Sequence, residues 1–527
     1  MRRLDSVTSF TSTLATIIEL PVPYSKSTQW SRWTVRRIGK VKRVTSESPE
    51  IVRNLVAGSW NEGSTLDRRS PVTGDVVSSA AQASTEDAEQ ALEFAATSAA
   101  EVAALSPAAR ADILERAAVL VQERQDDIAR LLALELGKPV RDGRGEAQRA
   151  AETLALSAAE ARSIGGEVLP SAGWARGVGT TAMTFRSPVG VVVAITPFNA
   201  PVNLLAHKLA ASFAAGNTTI VKPPPQAPAS STRFVELLLE AGLPTSAVQV
   251  LHGGPELGEV LTGSPVVAAI SFTGSAGAGH AVARNGAGKR LVLELGGNAA
   301  TILCEDADVA EAAVQCARTG FSNSGQSCIS VQRIFVPRSM MDDFTGRLAA
   351  AVGELRIGDP LDESTDIGSM VDENAADRVL QWARDAERDG AKLATGGARN
   401  GATVEPLVVV DPARDATIVR EEVFGAAVVV LPYDDFDEVI QECNRSRYGL
   451  QSGLFTHDSR RIFQAWRELQ VGAVVVGGTS NFRLDNVPFG GVKDSGIGRE
   501  SPRWMIDDYT YVKTLLWKDE SVWGATR

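Results

Sequence analysis

Between Pro188 and Gly297 the chain alternates between two rhythms, and this alternation restricts the fold more than any other feature. "VGVVVAIT" is a short, apolar, β-branched run, and "PVNLLAHKLAASFAAG" after it has helical periodicity. "NTTIVKP" precedes the helical "PASSTRFVELLLEAG". "AVQVLHG", "VAAISFTG" and "RLVLELGG" complete the series, with helical stretches between them. Strand and helix alternate four times over about 110 residues. That pattern predicts a parallel sheet, buried on both faces under helices. Ligands of such sheets bind beyond the carboxyl ends of the strands. The residues just after each strand are therefore the ones to inspect.

A second series runs from Asn298 to about Gly498. "AATILCED", "VQRIFVP", "AAVVVLPYDD", "GLQSGLFT" and "VGAVVVGG" are strand candidates separated by helices, which predicts a second α/β unit. Upstream, residues 85–165 are rich in Ala, Glu and Arg with helical spacing. "TEDAEQALEFAATSAAEVAAL", "AARADILERAAVLVQERQDDIARLLALELG" and "GRGEAQRAAETLALSAAEARSI" predict three helices. "LGKP" closes the second, with Gly137 at its C-terminal end and Pro139 just beyond. Residues 165–187, "GGEVLPSAGWARGVGTTAMTFRS", fit neither series and predict a protruding hairpin. "DDYTYVKTLLW" reads as a late strand, whose exposed edge would invite another subunit.

A chain of 527 residues is too long for one simple core. Its net charge of −11 argues against a general affinity for nucleic acid or anionic membrane. Four cysteines without a CxxC pair argue against a disulfide framework or a zinc site, and make a reducing, cytoplasmic compartment the default. With four histidines no metal centre is expected. No apolar run approaches the roughly 20 residues of a membrane span. Residues 1–47 differ from the rest: the first 45 hold nine Arg or Lys against Asp5 and Glu19, with many Ser and Thr. A disordered N-terminal extension and an organelle-targeting peptide both fit that composition.

Each strand of the first series is followed by polar or flexible residues. Asn199 lies in "PFNAP", Lys222 opens "KPPPQAP", Gly274, Ser275 and Gly279 lie in "FTGSAGAG", and Glu294 lies in "ELGG". No GxGxxG is present, so the usual dinucleotide fingerprint is missing. The Gly-Ser-x-x-x-Gly turn still offers backbone N–H groups for a phosphate, though a plain strand-to-helix turn explains it equally. Cys328 stands among small polar residues in "FSNSGQSCIS", and by local composition is either a small filler or a nucleophile.

Taken together, "PFNAP", "VKPPPQAP", "FTGS", "LELGGN", "NSGQSC", "EEVFG", "YGLQSGLFT" and "PFGGVKDSGIGRE" resemble the aldehyde dehydrogenase superfamily, in its order and spacing, over about residues 50–515. The resemblance implies a Rossmann-like cofactor domain (48–164 and 189–296) and a second α/β catalytic domain (297–504). It implies a small β oligomerisation element (165–188 and 505–522) and a homodimer or homotetramer. Cys328 then resembles the nucleophile. A bare aldehyde carbon is a poor hydride donor, whereas thiolate attack gives a thiohemiacetal whose oxyanion expels hydride. A free Cys has a pKa of about 8.5, so the site is expected to favour the thiolate. Asn199 resembles the oxyanion donor, acting with the Cys328 backbone N–H. Glu294 resembles the base that activates water to cleave the thioester.

The resemblance also implies a cofactor, NAD or NADP. Lys222 would bond the adenosine ribose, and Glu422 the nicotinamide ribose with Phe424 beside it. Gly274 and Ser275 would lie at the pyrophosphate. Thr196, Pro197, Phe198, Gly254, Gly258, Phe272, Thr273, Leu295 and Gly296 would complete the cradle. Many NAD-preferring members carry a glutamate three residues after the lysine. Here Pro225 stands there, which removes a repulsion from the 2′-phosphate and points to NADP or dual use. Ala200, Ser327, Ile329 and Phe482 are the expected lining of the aldehyde pocket. "FRLDNVPFGGVKDSG" resembles a subgroup acting on small polar aldehydes, some of them phosphonates or sulfonates. None of Ala200, Ser327 and Ile329 is basic, and Arg483 is either a pocket cation or an ion-pair partner of Asp485. A small neutral or modestly apolar aldehyde is therefore expected. A coenzyme A-acylating semialdehyde dehydrogenase typically replaces the glutamate that Glu294 resembles, and a catalytically silent relative would have lost Cys328, Glu294 or Asn199. Cys304, Cys316 and Cys443 lie in apolar or helical surroundings and are expected to pack.

Overall fold

The computed structural model describes residues 48–518. The basic N-terminal extension and residues 519–522 lie outside the described residues. Helices begin where the sequence supplies caps. Ser84 and Asp87 form a capping box at the start of α1 (Thr85–Ala104). Ser106 caps α2 (Pro107–Glu123), whose first residue is proline. The predicted second helix is two: α2 stops at Arg124, whose backbone leaves the helical region, and α3 (Gln125–Leu136) restarts with Asp126 and Asp127 in its first turn. Carboxylates favour a helix N-terminus, so the acidic pair suits a break that an uninterrupted helical pattern does not reveal. Gly137 ends α3 in the left-handed conformation, φ 69°. α4 (Val140–Ser163) packs on α2 and on α5 (Pro201–Ala214).

The first predicted series forms the core of an eight-stranded sheet. Its five parallel strands are Arg290–Glu294, Val267–Thr273, Val191–Ile195, Thr218–Lys222 and Val248–Val250, in that spatial order. The first strand in sequence thus lies between the second and the fourth. Chain order reverses at Val191–Ile195, which opens a crevice beyond its carboxyl end. Asn54–Val56 extends one edge antiparallel to Val248–Val250. At the other edge Gly496–Ile497 pairs antiparallel with Arg290–Glu294. A late segment inside the expected catalytic region therefore returns to the first sheet. Apolar residues fill both faces of this sheet.

The second sheet has seven strands, in the order Lys392–Thr395, Leu407–Val410, Ala427–Tyr433, Arg333–Pro337, Ala300–Leu303, Gln451–Phe455 and Ala473–Val476. Six are parallel, and only Lys392–Thr395 runs antiparallel. Leu407–Val410 and Lys392–Thr395 join the five strands expected from sequence. Cys304, Cys316 and Cys443 are buried in the core of this sheet. The hairpin region supplies Val168–Leu169 and Thr180–Pro188, and Thr510–Lys518 pairs along the latter from Pro188 to Thr180. The late strand starts at Thr510, because Asp507 and Asp508 end a short helix, Pro502–Asp508.

Candidate active site

Three turns converge, each following an element the sequence predicts. The first is "PFNAP", after the Val191–Ile195 strand. Its Asn199 carbonyl accepts from Lys138 Nζ at 2.6 Å and from Asn323 Nδ2 at 3.2 Å. Lys138 is paired with buried Glu146 of α4. Glu146 Oε1 in turn accepts from the Val202 and Asn203 N–H groups, at 2.8 and 3.3 Å, capping α5. The Asn199 backbone is thus pinned from three elements, while its side-chain amide has no partner among the described residues. Lys138 and Glu146 were missed at the sequence level, because their role depends on a fold contact and not on a motif around Asn199.

The second turn carries Cys328. Asn323, Ser324 and Gly325 follow α9 (Val309–Phe321) in the left-handed region, with φ of 50°, 57° and 73°. Two of the three are not glycine, an unfavourable conformation that persists only where the surroundings hold it. Here they do. Ser324 Oγ donates to the Ser369 carbonyl at 3.2 Å, Gln326 Nε2 to the Asn323 carbonyl at 3.2 Å, and Gln326 Oε1 accepts from the Val371 N–H at 2.8 Å. Asn323 joins this loop to Asn199. The Cys328 N–H has no backbone partner among the described residues. A Cβ on Gly297 would collide with the Cys328 carbonyl, so only glycine allows "ELGGN" to pass there.

The third turn holds Glu294, at the end of the Arg290–Glu294 strand. Both of its carboxylate oxygens are buried without a hydrogen bond. Burial, reinforced by the negative charge of Glu500, raises its pKa well above the carboxylate range, against the pull of Arg483, Lys208 and Arg499. Burial would raise Glu500 too, but Lys208 and Arg483 hold it ionised. Lys208 Nζ bonds Glu500 Oε2 at 2.9 Å and Thr273 Oγ1 at 2.8 Å, and Arg483 bonds Glu500 Oε1 at 3.0 Å. Cys328 is pushed up to about 12 by burial and by the charges of Glu422 and Glu294. In the chain alone, nearby acids and low solvation therefore both oppose the thiolate that the chemistry requires.

The expected cofactor residues fall along the crevice. Thr196 Oγ1 is buried and unpartnered, an orphan that suits a bound polar ligand. Pro197 and Phe198 follow it, and the Phe198 and Phe424 rings meet edge to face at 5.7 Å. Phe424 is itself left-handed, φ 43°. Glu422 Oε1 accepts from the Gly297 N–H at 2.8 Å, and burial raises its pKa to about 7. A Cβ on Gly296 would stand 2.5 Å from Glu422 Oε2, and one on Gly274 2.6 Å from the Phe272 ring. Ser275 caps α8 (Ala276–Asn285). Thr273 is turned inward to Lys208, and Leu295 is buried with its N–H on the Ser495 carbonyl. Gly254 caps α7 (Pro255–Gly263), whose Gly258 lies beside the Lys222 stem. Pro225 is exposed. Open glycine backbone, an orphan hydroxyl and a buried ammonium fit a dinucleotide.

Ser327 and Cys328 border one cleft with Phe424 and Gly425. Ile329 packs with Leu450 and Phe489, and Cys328 leans on that cluster. Ala200 is half-buried at the start of α5. Phe482, by contrast, is turned out, 55 % exposed, and only its carbonyl is held, by Gln451. Its neighbour Arg483 faces in and lies 4.2 Å above the Phe489 ring. Arg483 is 3.4 Å from Asp485, but its shorter bonds go to Glu500 and His207. A cavity of about 520 Å³ opens here, lined by Arg483, Leu484 and Asp485 and by Arg149, Glu152 and Leu156 of α4. Arg149 grips Asp485 with two bonds, of 2.7 and 2.9 Å. Arg483 is the basic residue close to a motif, and α4, a helix far away in sequence, brings a second guanidinium, that of Arg149, to the same cavity.

Comparison with known proteins agrees with this geometry. The sequence model of the aldehyde dehydrogenase family matches residues 60–515. The 3-sulfolactaldehyde dehydrogenase of Priestia megaterium is 43 % identical over 412 residues, 78 % of this chain and 86 % of that protein. Among solved structures, aldehyde dehydrogenase 21 from Physcomitrella patens, in complex with the reaction product succinate, superposes with a TM-score of 0.87. It is 34 % identical, over 90 % of this chain and 99 % of that one. NADP-dependent glyceraldehyde-3-phosphate dehydrogenase from Bacillus halodurans, complexed with NADP, gives a TM-score of 0.86 at 32 % identity, over 89 % and 99 %.

Proposed function

The chain belongs to the aldehyde dehydrogenase family, and from that premise we propose that it oxidises a small anionic aldehyde to the free acid through Cys328, Asn199 and Glu294. The cofactor is NAD or NADP; Lys222, Glu422 and the Gly274–Ser275 turn would hold it, and it would supply the hydride acceptor. Cys328 gives its proton to solvent water, and its sulfur bonds the aldehyde carbon, whose carbonyl π electrons move to the oxygen. The Asn199 amide and the Cys328 N–H hold the oxyanion, and loss of such a donor typically costs about 10²–10³ in rate. After hydride departs, a thioester remains on Cys328. Glu294 takes a proton from water, which attacks the thioester and frees the acid. One observation supports this reading above the others: both Glu294 oxygens are buried and unpartnered among the described residues, while the half-buried Asn199 amide and Cys328 N–H have no partner there either. Unpaired buried polar atoms are rare unless a ligand or water completes them.

The anionic substrate rests first on the similarity to the 3-sulfolactaldehyde dehydrogenase and second on Arg149 and Arg483 at one cavity, whose guanidiniums, now bonded to Asp485 and Glu500, are the cations nearest to hand for a carboxylate, sulfonate or phosphate. It replaces the neutral aldehyde expected from the neighbours of Cys328. 3-Sulfolactaldehyde and succinate semialdehyde are the first candidates, by analogy with the relatives. The four cysteines are free, which supports a cytoplasmic enzyme, and the small sheet supports a homodimer or homotetramer. Purified wild type and Cys328→Ala, given NAD or NADP with anionic and neutral aldehydes of matched length, test the reading. Expected are free acid as product, a silent alanine variant, and higher kcat/KM for the anionic aldehydes. Equal rates for both proteins, acyl-coenzyme A as the product, or a preference for neutral aldehydes would each refute the corresponding part.

A further inference from the structure

Lys222 closes its strand with an ammonium that no group among the described residues bonds. The residue is 7 % exposed, and its Nζ has no hydrogen-bond partner among the described residues. Burial lowers its pKa to about 8, and Glu256 is the acid whose charge pulls the other way. The residue is largely buried while its ammonium keeps its bonding positions open, which suits ligand oxygens. The neighbouring parallel strand, paired Val250 to Val221, leads through a bend at Gly253 and Gly254 into α7. The first turn of α7 runs along the Lys222 stem: a Cβ on Gly258 would stand 3.9 Å from Lys222 Cδ and Cε. That turn also carries Glu256. Its Oε2 folds back over the bend, 2.6 Å from where a Gly254 Cβ would stand. Pro225, three residues past Lys222, is exposed and offers no polar side chain.

We propose that Glu256 supplies, from the adjacent strand's turn, the carboxylate that Pro225 does not, reading the adenosine ribose together with Lys222 and selecting NAD over NADP. The proposal rests on the dinucleotide reading of this crevice. Any ligand oxygen that bonds Lys222 lies within the field of Glu256. A ribose diol suits both groups at once, since each hydroxyl accepts from an ammonium and donates to a carboxylate. A 2′-phosphate is charged, has little hydrogen to donate, and meets a carboxylate of like sign. Discrimination here is a built-in repulsion more than an extra attraction. It would tilt toward NAD a site that Pro225 leaves open to NADP or dual use.

The test is calorimetric titration of wild type, Glu256→Gln and Glu256→Lys with NAD and with NADP, without aldehyde. Glu256 is exposed on the helix surface, so both variants are expected to fold, and circular dichroism checks this. Wild type should bind NAD more tightly. Removing one nearby like charge should move the ratio of the two dissociation constants toward NADP by about tenfold at low salt, and less at high salt. The lysine variant should move it further. An unchanged ratio in both folded variants, or a wild type that prefers NADP, would overturn the role of Glu256 while leaving the crevice a dinucleotide site. Failure of folded wild type to bind either dinucleotide would overturn the underlying reading, and this proposal with it.

Discussion

Glu294 is a carboxyl group that its surroundings keep protonated well past the usual range, by burial first and by the charge of Glu500 second. As the proposed base it works only after losing that proton, so steady-state turnover should rise with pH through its raised pKa. Glu294→Gln should still release one equivalent of reduced cofactor per Cys328 in a rapid burst, and then turn over about 10²–10⁴ times more slowly, with that limb of the pH profile flattened. Stopped-flow absorbance reads both phases. The same group makes a statement about stability. Its folded pKa lies above the unfolded value of about 4.3, so its contribution is whole below that value. It is lost as pH rises to the folded pKa, by up to about 1.4 kcal/mol per pH unit. The melting temperature of Glu294→Gln relative to wild type should therefore climb as pH rises above the unfolded value toward the raised folded one, as scanning calorimetry would show. Arg149 is a simpler case, because it touches the cavity and not the reacting atoms. Arg149→Gln should raise KM for a sulfonated or carboxylated aldehyde roughly tenfold, the scale of one charge-assisted hydrogen bond, and leave a neutral aldehyde nearly unaffected. Equal losses on both would mean that Arg149 only braces Asp485.

At the scale of elements, the oxyanion turn is held by a helix that precedes it by some fifty residues. Glu146 of α4 caps α5 and pairs with Lys138, which bonds the Asn199 carbonyl. Glu146→Ala should lower stability by about 3–5 kcal/mol, the cost of leaving one member of a buried pair alone. It should also lower kcat more than it raises cofactor Kd; denaturant titration and steady-state kinetics separate the two effects. This arrangement also explains what was legible in the sequence. Strands buried on both faces announce themselves as continuous β-branched runs, so "VGVVVAIT", "NTTIVKP" and "RLVLELGG" were readable, and with them the positions of Asn199, Lys222 and Glu294. Cys328 became readable only through the resemblance of its motif, and of the motifs around it, to the aldehyde dehydrogenase superfamily. The break at Arg124 was hidden because α2 and α3 share one uninterrupted helical pattern. Arg149, Lys138 and Glu146 were hidden for another reason. Their work depends on which face of α4 meets the crevice and on where the α3–α4 connection carries Lys138, and periodicity fixes that a face is buried without fixing against what. Phe482 and Arg483 show the same gap at its smallest: adjacent residues at a loop, one turned out and the other in.

At the scale of the molecule, the small antiparallel sheet has no counterpart to its outer strand. Thr510–Lys518 is an edge strand, paired on one side to Thr180–Pro188. Along it Val512, Leu516 and Trp517 are all more than half exposed, and Phe185 on the paired strand is 50 % exposed. A strand with apolar side chains on both faces and an open edge is a liability in a lone chain and an asset in an assembly. The proposed homo-oligomer covers it. Burying apolar surface is worth about 25 cal/mol per Å², so introducing a charge at the centre of that surface opposes association strongly while leaving the two large sheets untouched. Leu516→Glu should therefore convert the assembly to a smaller one, read as mass by light scattering on a sizing column. Each released chain should keep its far-ultraviolet circular dichroism and its affinity for dinucleotide, because the crevice is built from residues 191–296 and the catalytic loop, none of which lies in the small sheet. If mass and elution were unchanged in Leu516→Glu, another surface would carry the contact. If mass fell and dinucleotide binding fell with it, the crevice would depend on the assembly in a way that the two large sheets alone do not explain.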